Sequence, residues 1–268
     1  GNYKFNVTEG TLTVNARDIT VTSNGNTFLY NGRAQSEQTF VISTTEGLGL
    51  ADSDTATLVT YTKVTNVTDG VDNVITIAIT HDVLGNVTES YQINYVSNKL
   101  VVTHRQIKLT ANSSSKTYDG TPLTDGGVIE ELVSLDDGNG AIVSMHTLVL
   151  TMTEESSITF VGKVKNVIDQ ASVDILDSTG NSVLSNYQIV EYVDGELEII
   201  KRDISIKPID ITKVYDGTPL TKKEYTATGL IDGHEVIAGE DSITVDGKEI
   251  KIYAVKDANE CPWGELGV

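Results

Sequence analysis

The triplet Tyr-Asp/Asn-Gly occurs three times in this 268-residue chain, at Tyr30-Asn31-Gly32, Tyr118-Asp119-Gly120 and Tyr215-Asp216-Gly217. Each copy lies 13 residues after an arginine that opens a strand-like run: Arg17, Arg105 or Arg202. An unvarying spacing marks a tandem repeat, and a repeat shifts the question from a single active site to the use of an array.

The repeat is longer than its triplet. Closing segments run from Asn2-Tyr3-Lys4-Phe5 to Leu12-Thr13-Val14, from Ser90-Tyr91-Gln92-Ile93 to Leu100-Val101-Val102, and from Asn186-Tyr187-Gln188-Ile189 to Leu197-Glu198-Ile199. Tyr3 and Tyr91 are 88 residues apart, Tyr91 and Tyr187 96. Val64-Thr65-Asn66-Val67 echoes Val164-Lys165-Asn166-Val167, and the run Tyr118 to Thr124 recurs letter for letter at Tyr215 to Thr221. The division that follows is a closing strand of a preceding or neighbouring module at 1–16, modules at 17–104 and 105–201, and an incomplete module at 202–268. Two origins fit such ends. The chain is a piece of a longer array, or it is a pilus-like subunit whose Tyr3, Phe5, Leu12 and Val14 form a donor strand for the last module of a neighbour.

Local patterning predicts an all-β chain. Proline is scarce, with 4 residues, and Thr, Val, Ile and Tyr are abundant. Period-two alternation is plain in Val74-Ile75-Thr76-Ile77-Ala78-Ile79 and in Gly195-Glu196-Leu197-Glu198-Ile199, so these strands bury one face. Asp-Gly and Asn-Gly pairs separate the runs. The best helix candidate, Asp125 to Leu135, is weakened by Gly126-Gly127 and β-branched residues. We expect small β-sandwich, Ig-like modules in an elongated array, with β-grasp-like modules carrying one short helix as the alternative. The buried parity flips at Ala16-Arg17-Asp18 and again at Thr103-His104-Arg105-Gln106, which marks a hand-over between sheets. Joints of two or three residues make the array stiff.

No catalytic constellation stands out, and no enzymatic activity is expected. Nucleophile elbows, phosphate loops and paired zinc histidines are missing from the sequence. His81, His104, His146 and His234 are scattered one per region and read as surface or edge-strand residues rather than ligands. Acidic loops at Asp52-Ser53-Asp54, Asp69 with Asp72, and Asp136-Asp137-Gly138-Asn139 offer oxygen ligands for calcium, but none has the full spacing of a calcium loop. Lys63 with Asn66, and Lys163 or Lys165 with Asn166, are too close in sequence to cross-link two strands. The single cysteine, Cys261, excludes an intrachain disulfide. The net charge of −19 argues against nucleic acid and anionic membrane as partners. The Tyr-Asp/Asn-Gly turn itself reads as structural: Asx-Gly suits a tight turn, and the tyrosine buries its ring while its hydroxyl stays bonded or wet.

Lys116-Thr117-Tyr118-Asp119-Gly120-Thr121-Pro122-Leu123-Thr124, Thr228-Gly229-Leu230-Ile231-Asp232-Gly233-His234 and the Asn186 to Ile199 closing segment resemble the YDG-type repeats, related to MBG modules, of large bacterial cell-surface proteins. The resemblance implies an extracellular stalk or adhesin of Gram-positive type, anchored to the cell wall through regions outside this chain. The first module departs from the pattern, with Arg33-Ala34 in place of Thr-Pro-Leu, and so does the Glu260-Cys261-Pro262-Trp263-Gly264 tail. The expected function is a structural spacer that contacts neighbouring modules of its own protein. The alternatives are a module binding host glycan or matrix protein, and the strand-donating polymer.

Overall fold

Each repeat opens on an alternating strand, and that strand becomes the centre of a sheet. The computed structural model describes residues 1–43, 49–214, 216, 225–245 and 248–256. In the first repeat Arg17–Ser23 lies between Phe40–Ser43, antiparallel, and Tyr91–Val96, parallel. After a bend the chain continues as Asn26–Leu29, parallel to Lys99–Thr103, which also pairs antiparallel with Thr68–Asp72. A third sheet of Asp54–Thr60, Thr76–His81 and Gly85–Asn86 completes the repeat. Ile19 and Val21 from the first sheet and Ile77 and Ile79 from the third bury together with Ile75 and Tyr91, as alternation requires of strands with one wet face.

The second repeat is built to the same plan. Arg105–Ala111 lies between Val128–Leu132 and Tyr187–Val193, and Gly195–Ile200 lies between Ser114–Thr117 and Gly162–Asn166. Thr147–Val149 pairs with Asp174–Leu176. The register repeats as well: Arg17 faces Tyr91 and Arg105 faces Tyr187. In the third repeat Ser205–Pro208 pairs with Tyr225–Thr228, and Glu235–Val245 with Lys248–Lys256.

The described residues are all-β, with short 3₁₀ turns such as Thr88–Ser90 and no α-helix. Val128–Leu132, inside the helix candidate, is a strand. The parity flip at His104 is present: Leu100 and Val102 are buried before it, and Arg105, Ile107 and Leu109 after it. At the crossing of the two bends the backbones nearly touch, so one side must be glycine. In the first repeat a Cβ on Gly25 would stand 2.6 Å from the Lys99 carbonyl oxygen. In the second repeat the glycine is on the other side of the crossing, and a Cβ on Gly195 would stand 2.1 Å from that of Asn112.

Two buried asparagines clamp these bends. Asn73 Nδ2 donates to the carbonyls of Asn24 and Glu37, both at 2.9 Å. Asn166 Nδ2 donates to those of Asn112 and Asp125, also at 2.9 Å. The structural counterpart of Asn166 is therefore Asn73, not the Asn66 that the sequence echo suggests. The nearby lysines lie at the surface: Lys163 pairs with Glu196 and Lys165 with Asp194, while Lys63 lies against the Tyr61 ring.

The chain forms two compact units. One comprises residues 1–110, 128–151 and 169–193, the other 111–127, 152–168 and 194–268. Residues 1–16 carry no strand, and Tyr3, Phe5, Leu12 and Val14 are exposed.

Candidate functional site

Within the first unit, the turn of one repeat meets the next repeat. Asn31 and Asp119 both close their turns as Asx caps. Asn31 Oδ1 accepts from the Arg33 amide at 3.0 Å, and Asp119 Oδ1 from the Thr121 amide at 2.9 Å. Gly32 and Gly120 follow at φ +74° and +81°, where a side chain is disfavoured. Lys116 also binds Asp119 at 2.8 Å and, with the Asx hydrogen bonds, holds its carboxyl well below the usual range. Lys213 and Asp216 make the same contact at 2.8 Å. Tyr215 and Gly217 lie outside the described residues.

The turn at Tyr30 holds its ring in a cluster of three. Tyr30, 2% exposed, meets Tyr187 edge-on at 5.5 Å between centroids and His146 at 6.0 Å; His146 and Tyr187 are 5.9 Å apart. The Tyr187 hydroxyl accepts from the Val143 amide at 3.2 Å and bonds His146 Nδ1 at 2.8 Å. Burial pushes the Tyr187 phenol up to about 12 and raises that of Tyr30, with the Asp177 charge adding to the latter. Burial lowers the His146 imidazole, opposed by Asp177. Val143 Cγ1 would stand 3.2 Å and His146 Nε2 3.4 Å from a Cβ on Gly32, so the glycine also leaves room for these two side chains of the next repeat.

Arg105 locks this contact. Its side chain is wholly buried. Nη1 donates to the Tyr30 carbonyl at 3.1 Å and to Asp137 at 3.0 Å. Nη2 donates to Asp137 at 2.7 Å and to the Gly140 carbonyl, and Nε to the carbonyls of Gly140 and Ala141 at 3.0 and 3.2 Å. All five N–H groups are used, which a lysine could not reproduce. The Arg105 hydrogen bonds hold the Asp137 carboxyl well below the usual range. Asn186, from the closing segment, accepts from the Val67 amide of the first repeat at 2.8 Å.

The second unit repeats part of the arrangement between the second and third repeats, with Arg202 exposed where Arg105 is buried. Tyr118 lies 6.0 Å from His234, Ile231 carbons lie 3.8 Å and 3.9 Å from the position of a Cβ on Gly120, and Arg202 Nε donates to the Gly229 carbonyl at 2.5 Å. His146 and His234 stand the same sequence distance from their turns. The expectation of surface histidines therefore fails for His146, which is half-buried between two tyrosine rings.

The acidic loops are committed elsewhere. Asp137 binds Arg105, Asp72 binds Lys99 at 2.8 Å, and Asp54 accepts from Tyr91 at 2.5 Å. Among the described residues no cluster of three or more His, Cys, Asp or Glu is arranged to hold a metal. An open groove of about 520 Å³ in the first unit is lined in part by Phe28, Leu29, Val102, His104, Leu135 and Gln188. No protein-family model matches this chain.

Proposed function

We propose that this chain is a spacer region of a YDG-type, MBG-like bacterial surface protein, a stalk of sandwich-type modules held in fixed order by turn-to-socket joints. The observation that carries this reading is Arg105, a buried cation of one repeat bonded to the Tyr30 carbonyl of the repeat before it. A flexible tether does not need a buried, fully bonded arginine between modules, whereas a stiff spacer does. The second joint, with Tyr118 against His234, supports the same role for the repeat. Hydrogen exchange on Arg105→Ala tests it. Loss of protection at both the Asn31-Gly32 turn and the Val143 to His146 segment supports the reading, and unchanged protection at both refutes it.

The Phe28–Leu135 groove favours a second reading, a module that binds host glycan or a matrix peptide. A glycan and matrix-protein array probed with the full chain tests it: reproducible micromolar binding lost in Phe28→Ala supports it, and a blank array removes it.

A further inference from the structure

We infer that the pocket beside the Tyr30–His146 contact is a binding site for one neutral, polyhydroxylated ligand of the size of a single sugar residue, held between Tyr30, His146 and Asp177. Such a site goes beyond the spacer role and needs only the joint itself. It shares no residue with the Phe28–Leu135 groove.

The pocket has a volume of about 260 Å³. Tyr30 lines it although the residue is only 2% exposed. Its hydroxyl has no hydrogen-bond partner among the described residues, whereas a buried tyrosine hydroxyl ordinarily finds one. His146 is oriented by Tyr187. The Tyr187 hydroxyl accepts from the Val143 amide, so its own proton goes to His146 Nδ1. Burial lowers the imidazole pKa, so the ring is neutral at pH 7 and carries its proton on Nε2. Gly32 also lines the pocket, and a Cβ there would stand 3.4 Å from Nε2, so the glycine leaves that N–H open. Asp177 Oδ1 accepts all three hydrogen bonds of its own loop, from the Thr179 hydroxyl and amide at 2.7 and 2.8 Å and the Asn181 amide at 3.0 Å. These bonds hold the carboxyl below its usual range, and Oδ2 is left as a charged acceptor. Asn66 accepts from Asn186 through Oδ1 at 3.4 Å and keeps its own amide N–H donors.

These groups define the class of ligand. Two N–H donors, one carboxylate acceptor and one phenol that does both call for a molecule able to donate and accept over a short span. Adjacent sugar hydroxyls do this. An anion is disfavoured, because the lining holds no Lys or Arg and Asp177 would repel it. An ammonium would suit Asp177 but meet the N–H groups of His146 and Asn66 with no acceptor to offer. Met145 and Val183 add an apolar wall for the C–H face of a sugar ring. The volume lies below the roughly 300–1,000 Å³ of pockets for drug-sized molecules, which suits one ring.

The test is an NMR titration of the full chain with glucose, galactose, mannose, fucose and N-acetylglucosamine in turn, and with glucuronate and ethylammonium as charged controls. At least one neutral sugar should shift the His146 imidazole and Tyr30 ring signals, with a Kd on the order of 1 mM. Tyr30→Phe should weaken that binding at least about tenfold and leave the melting temperature unchanged, because the hydroxyl it removes has no partner within the protein. Asp177→Asn should weaken it similarly, since the amide keeps Oδ1 for the loop. Phe28→Ala should leave it unchanged, which separates this pocket from the groove. A panel without a shift overturns the inference. So does tighter binding of either charged control, a sugar affinity equal to wild type in both Tyr30→Phe and Asp177→Asn, or a loss of binding in Phe28→Ala. The nuclear Overhauser contact between the Tyr30 and His146 rings in the free chain tells the failures apart. If it is present and the panel is silent, only this inference fails; if it is absent, the joint and the stalk reading fail with it.

Discussion

At the scale of single residues, the interactions that matter are those that give enclosed carbonyls and carboxylates a donor. Removing the Arg105 side chain would strand the Tyr30 and Gly140 carbonyls and the Asp137 carboxylate. Breaking a buried pair from one side costs about 3–5 kcal/mol. We expect Arg105→Ala to lose stability of that order in urea denaturation, and Arg105→Lys to recover less than half, since an ammonium has three donors and no fork. Asn73→Ala and Asn166→Ala each remove two hydrogen bonds to half-buried carbonyls. Each should cost about 1–3 kcal/mol, measured in the same way. The arginines and tyrosines of the repeat are conspicuous in the sequence, but their reach is not. Spacing shows that Arg105 opens a strand; only the fold shows that its guanidinium reaches back to the preceding turn.

Among elements, the strands and turns were legible because each has a local cause. Alternation set the buried faces of Thr76–His81 and Gly195–Ile200, and the parity flip at His104 marked the hand-over between sheets. The parallel pairing of opening and closing strands was not legible, because register between distant segments depends on the bend and its crossing. The crossing predicts a sharp asymmetry. Gly195→Ala should cost more than about 2 kcal/mol by overpacking against the Asn112 carbonyl, while Asp194→Ala, one residue earlier, loses only a surface ion pair with Lys165. Thermal melts of the two variants give the comparison. The role of His146 is not legible in the sequence, because a lone histidine carries no ligand signature. Its equal spacing to that of His234 from their turns was the available signal.

That histidine also makes the joint between Tyr30 and Tyr187 sensitive to pH. Burial lowers its folded pKa, so the unfolded chain binds the proton more readily. Stability should be constant above the unfolded value of about 6.5. It should fall as pH drops below that value, until the lowered folded pKa is reached. The surrounding groups are Tyr30, Tyr187, Asp177 and Arg105. Asp177 partly offsets the burial, so the effect is moderate. Melting temperatures between pH 7.5 and 5 should show the decline, and His146→Gln should flatten it.

For the whole molecule, the tandem repeat is legible in the constant spacing of arginine and turn, and a repeat points to contacts between copies. What those contacts are made of depends on the fold, which brings turn, socket and arginine together. The most direct test is a double-mutant cycle between Tyr30 in one repeat and His146 in the next. Wild type, Tyr30→Ala, His146→Ala and the double variant are compared by equilibrium denaturation. If the turn of one repeat docks on the next, the pair couples by about 0.5–1.5 kcal/mol. Additivity within about 0.3 kcal/mol would mean that the two rings do not interact in solution and that the repeats are not joined through these turns.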